Sequence, residues 1–215
     1  MEIDLRGLIA TVQSAHLRRL LVAILGEHSA TWGEYREAPA AKHYHQAYVH
    51  GLLEHSLTVA QAVSGISATF PGIDRDLAVT GALLHDIGKL ETYELAPGGI
   101  EMTDQGRLHG EIALGYYRVR RAIEELDDFP EELAQSLLHI ILSHHGSLAH
   151  GSPVVPCTRE AVLVHMVDNL GSKLGSFDRI ESDLGAGEQW AEFDKGIGGV
   201  AYFGGQAAAG ERAAA

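Results

Sequence analysis

The chain has 215 residues, 46% hydrophobic and 21% charged, an ordinary balance for one globular domain and a length short of two comfortable ones. Its formal net charge of -13 opposes general electrostatic capture of nucleic acid, although a local basic groove or a bound cation could still recruit phosphate. The single cysteine, Cys157, excludes an internal disulfide framework, no run approaches ~20 uninterrupted apolar residues, and the acidic start MEIDLRGL is unlike a secretory leader; cytoplasmic residence without a membrane span is expected.

In chain order, Leu5, Leu8, Ile9, Val12, Leu17, Leu20, Leu21, Ile24 and Leu25 recur at steps of three and four, which predicts an N-terminal helix within residues 1–30 that stops at Gly26. Residues 27–44, with Trp32, Gly33 and Pro39, read as an irregular connection. A second helix is predicted from Gln46 to Thr69, ending at Phe70-Pro71-Gly72. Asp74 is placed to cap a third, which carries Leu77, Val79, Leu83 and Leu84 and stops at Gly88. Residues 93–104, with Pro97-Gly98-Gly99, form a short irregular insertion, a turn or hairpin. A fourth helix is predicted over Gly106–Leu126, a fifth from Pro130 to His144, and a long last one from Thr158 to Asp183, with a loop over 146–157. No window alternates long enough to make a convincing strand, and no repeat is visible. The expected fold is a single all-α domain over 31–200, with a low-complexity tail over 201–215.

Thirteen histidines are the outlying count, and histidine is the commonest metal ligand. His85-Asp86 lies in Gly81-Ala-Leu-Leu-His-Asp-Ile-Gly-Lys89, where an apolar helix face runs straight into a charged pair. Such a pair at a buried helix end is costly unless it is partnered or metal-bound. The alternative is a polar cap, with Gly88 stopping the helix and Lys89 meeting its dipole. His55, His144-His145 and Asp168 repeat the pattern, each a ligand type where the surrounding residues call for core. One such residue is ordinarily a satisfied core group; several suggest convergence on a buried divalent ion.

His55, His85-Asp86 and Asp168 reproduce the H…HD…D pattern, and the chain resembles the HD-domain superfamily of metal-dependent phosphohydrolases. It is most similar to the branch of bacterial 3′-5′ exoribonucleases in which an HD domain follows an oligonucleotide-binding OB fold. The matching segments are Ala38-Pro39-Ala40-Ala41-Lys42, His45, Gly51–Ser56, Leu84–Lys89, Thr103–Leu108, Ser143–Gly146 and Val167–Leu170. Two departures stand out. That branch has Gly-His-Ile where this chain has Gly110-Glu111-Ile112, with a histidine two residues earlier at His109. Only the first 30 residues precede the resemblance, too few for an OB fold, so that platform is expected to be missing.

The resemblance implies an HD helical bundle in which His55, His85, Asp86 and Asp168 hold a primary metal. Asp86 would bridge to a second ion held by His144 and His145, with His109 or Glu111 completing the set; the alternative is a one-metal site. One or two divalent ions are therefore expected, among Mn, Fe, Ni, Mg and Zn. Metal-activated water would attack phosphorus, with the metals and Lys89 offsetting phosphoryl charge. His45 is a candidate on the leaving-group side or as a supporting group, or else a surface loop histidine; Arg107 is a phosphate contact or a solvated helix-start residue, and Asn169 an orienter of Asp168 or a substrate contact. His139 and His165 read as packing or supporting groups, and His16, His28 and His150 as surface residues. The expected activity is hydrolysis of a phosphomonoester or phosphodiester of a nucleotide or short oligonucleotide. The alternatives are exoribonuclease-like action on single-stranded RNA, a di-iron oxygenase, and a non-catalytic metal-bound regulator. Trp190, Phe193, Tyr202 and Phe203 either pack back onto the core or form a homodimer contact.

Overall fold

The structure, a computed structural model, describes residues 1–42, 46–185 and 187–204. Helices α1 (Glu2–Ala10) and α2 (Ala15–Leu25) replace the single N-terminal helix predicted from apolar spacing. The break is held from outside: the Gln13 and Ser14 amides donate to Asp76 Oδ2 at 2.6 and 2.8 Å. One carboxylate thus satisfies two amides that a helix would otherwise have to pair, a long-range contact that periodicity does not register. Helix α3 (Trp32–Glu37) occupies part of the stretch predicted to be irregular and buries Trp32 and Tyr35. Helix α4 (Gly51–Ser67) starts later than Gln46 because Gln46 and His50 hold left-handed φ values of 60° and 75°, which a right-handed helix cannot contain.

Asp74 caps helix α5 (Arg75–Leu84), its side chain accepting from the Leu77 amide at 3.0 Å. A short turn leads to α6 (Lys89–Thr92) and to the antiparallel hairpin β1 (Tyr93–Ala96) and β2 (Gly99–Met102), in which Tyr93 pairs with Met102. The helix predicted over Gly106–Leu126 is two: α7 (Asp104–His109) and α8 (Glu111–Glu124). Gly110 separates them at φ 77° and ψ 152°, a conformation open to glycine and rarely to an L side chain. Helix α9 (Glu131–Ser143) and the long α10 (Arg159–Asp183) run as the spacing predicts, with a 3₁₀ turn at Leu148–His150 between them.

The all-α class holds, with one small two-stranded sheet. Helix α4 packs on α5, and α9 packs on both α5 and α8. Leu52, Leu53, Leu83, Leu84, Leu137 and Ile140 are buried there. The α5–α9 crossing is close enough that a Cβ on Gly81 would strike the Ile140 side chain. Residues Met1–Asn169 form one compact unit. A second unit begins at Leu170, within α10. In it, Trp190 and Tyr202 form an antiparallel bridge with ring centroids 4.6 Å apart, and Arg179 donates to Asp194 Oδ2 at 2.6 Å. Trp190, Phe193 and Tyr202 are exposed, whereas Phe203 is half-buried beside Phe177. No helix among the described residues is long and apolar enough to cross a membrane.

Candidate metal centre

Three helices of the first unit bring one group of donors together: His55 on α4, His85 and Asp86 at the end of α5, and Asp168 on α10. His55 Nε2 lies 3.2 Å from His85 Nε2, 3.3 Å from Asp86 Oδ2 and 3.0 Å from Asp168 Oδ1. His85 Nε2 lies 3.4 Å from Asp86 Oδ2 and 3.7 Å from Asp168 Oδ1. His85 Nδ1 sits 2.7 Å from the Ala82 carbonyl oxygen, which can only accept, so Nδ1 carries a hydrogen and Nε2 is the atom turned inward.

The second group is Glu111, the first residue of α8, with His144 and His145 just past α9. His145 Nε2 lies 3.1 Å from Glu111 Oε1, and its Nδ1 donates to the His150 carbonyl at 2.9 Å. His144 Nδ1 donates to the Ile141 carbonyl at 2.7 Å. The two Asp86 oxygens face different groups. Oδ2 faces His55 and His85 and lies 2.7 Å from Lys89 Nζ, while Oδ1 lies 3.5 Å from His144 Nε2.

The electrostatics follow from burial against pairing. Burial alone would raise the Asp86 and Asp168 carboxyls. Lys89 and His85 beside Asp86, and hydrogen bonds from His55 and His85 to Asp168, hold both well below the usual carboxylate range. Burial opposes a charged His85, but Asp86 and Asp168 push it up to about 9. Burial also opposes a charged Lys89, yet Asp86 and Glu111 raise it above its ordinary value. Burial dominates at His144 and holds it below the ordinary imidazole value.

A divalent cation fits this donor set. His144 is fully buried, and its Nε2 has no hydrogen-bond partner among the described residues. With Nδ1 already donating, Nε2 presents a lone pair toward a carboxylate oxygen, an arrangement that is repulsive without a positive charge between the two. Mixed imidazole and carboxylate donors suit a divalent transition metal.

Local backbone devices set the donors. A Cβ on Gly88 would strike the Glu111 carbonyl and the Gly115 amide, so Gly88 lets the turn after His85-Asp86 lie directly on the start of α8. Gly146 has φ 80° and lies against the His165 ring, whose Nδ1 donates to the His144 carbonyl at 2.8 Å. His165 therefore holds the backbone of the His144–His145 pair. The Gly110 break places Glu111, and not His109, among these donors. His109 is exposed at the end of α7.

The remaining predicted residues fall elsewhere. Arg107 is exposed, with its Nε donating to the Met102 carbonyl at 3.3 Å. Asn169 is exposed beside Asp168. His139 Nε2 accepts from the Cys157 amide at 2.9 Å, a packing role away from the donors. His45 lies outside the described residues. Sequence reasoning passed over two contributors: the His150 carbonyl, which orients His145, and Tyr93. Tyr93 is half-buried on β1 and lines an open pocket of about 600 Å³ that also exposes Glu111 and His145. Neither carries a ligand signature in the sequence, since one acts through its backbone and the other sits in a segment read as a turn or short hairpin.

Residues 52–172 match the HD domain family model, and that match covers more than half of the chain. The chain belongs to the HD-domain family. It is also similar to the "3'-5' exoribonuclease YhaM" of Bacillus subtilis (strain 168), with 33% identity over 180 residues, covering 84% of this chain and 56% of that protein. The chain thus spans about half the length of that curated relative. No solved structure matches it.

Proposed function

We propose that the chain hydrolyses a phosphomonoester or phosphodiester of a nucleotide or short oligonucleotide at the site built around Asp86. The observation that carries this reading is the division of the Asp86 carboxylate between two donor groups, one with His55, His85 and Asp168, the other with Glu111, His144 and His145. Divalent ions, where held by His55, His85, Asp86 and Asp168 and by Glu111, His144 and His145, would lower the pKa of bound water and offset charge on the phosphoryl oxygens.

The chain's own residues do the rest. Asp86 shares its oxygens between the groups and keeps them at a fixed separation. The hydrogen bonds of His85 to Ala82 and of His144 to Ile141 fix which nitrogen of each ring faces the donors. Lys89, half-buried 2.7 Å from Asp86 Oδ2, contributes a fixed positive charge that a phosphoryl oxygen can meet. Glu111 and His145 border the open pocket, which gives a phosphoester a route to the donors.

The test is release of phosphate or nucleotide from a panel of nucleotides and short oligonucleotides with manganese or magnesium. Turnover should vanish in His85→Ala and Asp86→Ala; unchanged turnover in either variant sinks the reading.

A second reading is exonucleolytic cleavage of single-stranded RNA, and the similarity to the Bacillus exoribonuclease favours it. The net charge of -13 weighs against unaided capture of a polyanion. A labelled single-stranded RNA left intact where mononucleotides are cleaved would eliminate it.

A further inference from the structure

The pocket beside Glu111 and His145 has a lining unlike that of the donor site. Its lining holds neither lysine nor arginine; beside Glu111 and the imidazoles of His109, His145 and His150 it is neutral. The phosphoryl group belongs at the donor edge, where Lys89 also stands 2.7 Å from Asp86, and the neutral part of the lining is left for the uncharged part of the molecule. Its volume, about 600 Å³, lies within the range of small-molecule sites. Tyr93 and Met102, paired across the hairpin, both line it, together with Ile112, Leu142 and Pro153. An aromatic face, a thioether and aliphatic surface suit a flat, weakly polar ring.

The hairpin root is pinned where this wall begins. The Thr103 amide donates to the Thr92 carbonyl at 2.9 Å, and its hydroxyl to the Glu91 carbonyl at 2.5 Å. A Cβ on Gly106 would strike Thr92, so α7 also lies directly against this root. Tyr93 is therefore carried on anchored backbone. Its phenol stands within the field of Glu111 and Lys89, and burial and Glu111 raise its pKa. The ring lines the same pocket as Glu111 and His145.

We propose that this pocket seats the base of a nucleotide, with Tyr93 as its stacking face, while the phosphate lies at the donors. This rests on the phosphohydrolase reading above. Tyr93 is then a specificity residue, separating nucleotides from other phosphoesters of similar size and charge.

The test measures equilibrium binding without turnover. Non-cleavable phosphonate isosteres of 5′-AMP and of ribose 5-phosphate are titrated calorimetrically into the manganese-loaded full chain. The nucleotide isostere should bind about tenfold or more tightly than the sugar isostere, as one base–aromatic stack provides. Tyr93→Phe should keep that ratio. Tyr93→Leu should reduce it to about threefold or less while affinity for the sugar isostere stays unchanged, which also shows that the variant is folded. Equal affinities in the wild type, no measurable binding of the nucleotide isostere, or a preference that survives Tyr93→Leu overturns the proposal. A second measurement needs no variant: nuclear Overhauser effects between the Met102 methyl group and the base protons are expected in the wild-type complex loaded with diamagnetic magnesium, and their absence contradicts the assignment. Failure of the chain to cleave any phosphoester would sink the phosphohydrolase reading and leave this binding result standing. Cleavage with no base preference would do the reverse.

Discussion

His85 sits between two carboxylates, and that position ties metal uptake to pH. Its folded value of about 9 stands above the ordinary imidazole value of 6.5. In the metal-free protein, the stability this pairing contributes is fully present below pH 6.5 and is lost as pH rises through about 9. A metal displaces the same proton, so metal affinity should move the other way and rise across that window. Calorimetry of manganese binding in buffers of different ionisation heat should show proton release near pH 7 and little above pH 9; release that does not change with pH contradicts this. Lys89 should act on the reaction more than on the metal. Lys89→Met is expected to lower kcat by roughly 10²–10³-fold with metal content retained, the scale on which loss of one charge-stabilising group acts. Parallel loss of metal and activity would instead make Lys89 a support for Asp86. At this scale much was legible in the sequence. His55, His85, Asp86 and Asp168 are ligand types set in apolar helical stretches, and that mismatch marks them without coordinates. The choice between His109 and Glu111 was not legible, because it depends on the φ of Gly110 and not on the chemistry of either side chain.

The elements act on the centre through two glycine contacts. Gly88→Ala would push the turn after Asp86 away from α8, where the Glu111 carbonyl and the Gly115 amide leave no room for a Cβ. Overpacking of this kind costs on the order of 1–3 kcal/mol, readable as a lowered urea midpoint. It should also move Glu111 relative to Asp86, so metal affinity should fall beyond what the stability loss explains. Gly146→Ala combines a φ of 80° with a clash against the His165 ring, and should displace the His144–His145 pair in the same way. Wild-type metal affinity in both variants contradicts the role given to these contacts. Helices α9 and α10 were readable from apolar spacing because each runs unbroken. The breaks at 11–14 and at Gly110 were not. The first is held by Asp76, far along the chain, and the second by one residue's backbone conformation. The segment at 93–102 was legible as a turn or short hairpin, but not as a wall carrying Tyr93.

For the whole molecule, donors drawn from α4, α5, α8, α9 and α10 make metal binding a property of the folded chain. The unfolded chain presents no such arrangement, so metal should stabilise by mass action, about 2.7 kcal/mol at a hundred times the dissociation constant. Thermal unfolding should rise with added manganese and fall again with chelator, and Asp86→Asn should remove most of that response. An unchanged Tm with metal contradicts a site assembled from these helices. The acidic surface bears on partners at the same scale: with a net charge of -13, any RNA binding should depend on metal more than on surface charge. The most direct measurement is anomalous diffraction from manganese-soaked crystals. The expected result is two peaks flanking Asp86, one among His55, His85 and Asp168, the other among Glu111, His144 and His145. A peak at His109, or no anomalous density beside Asp86, would contradict it.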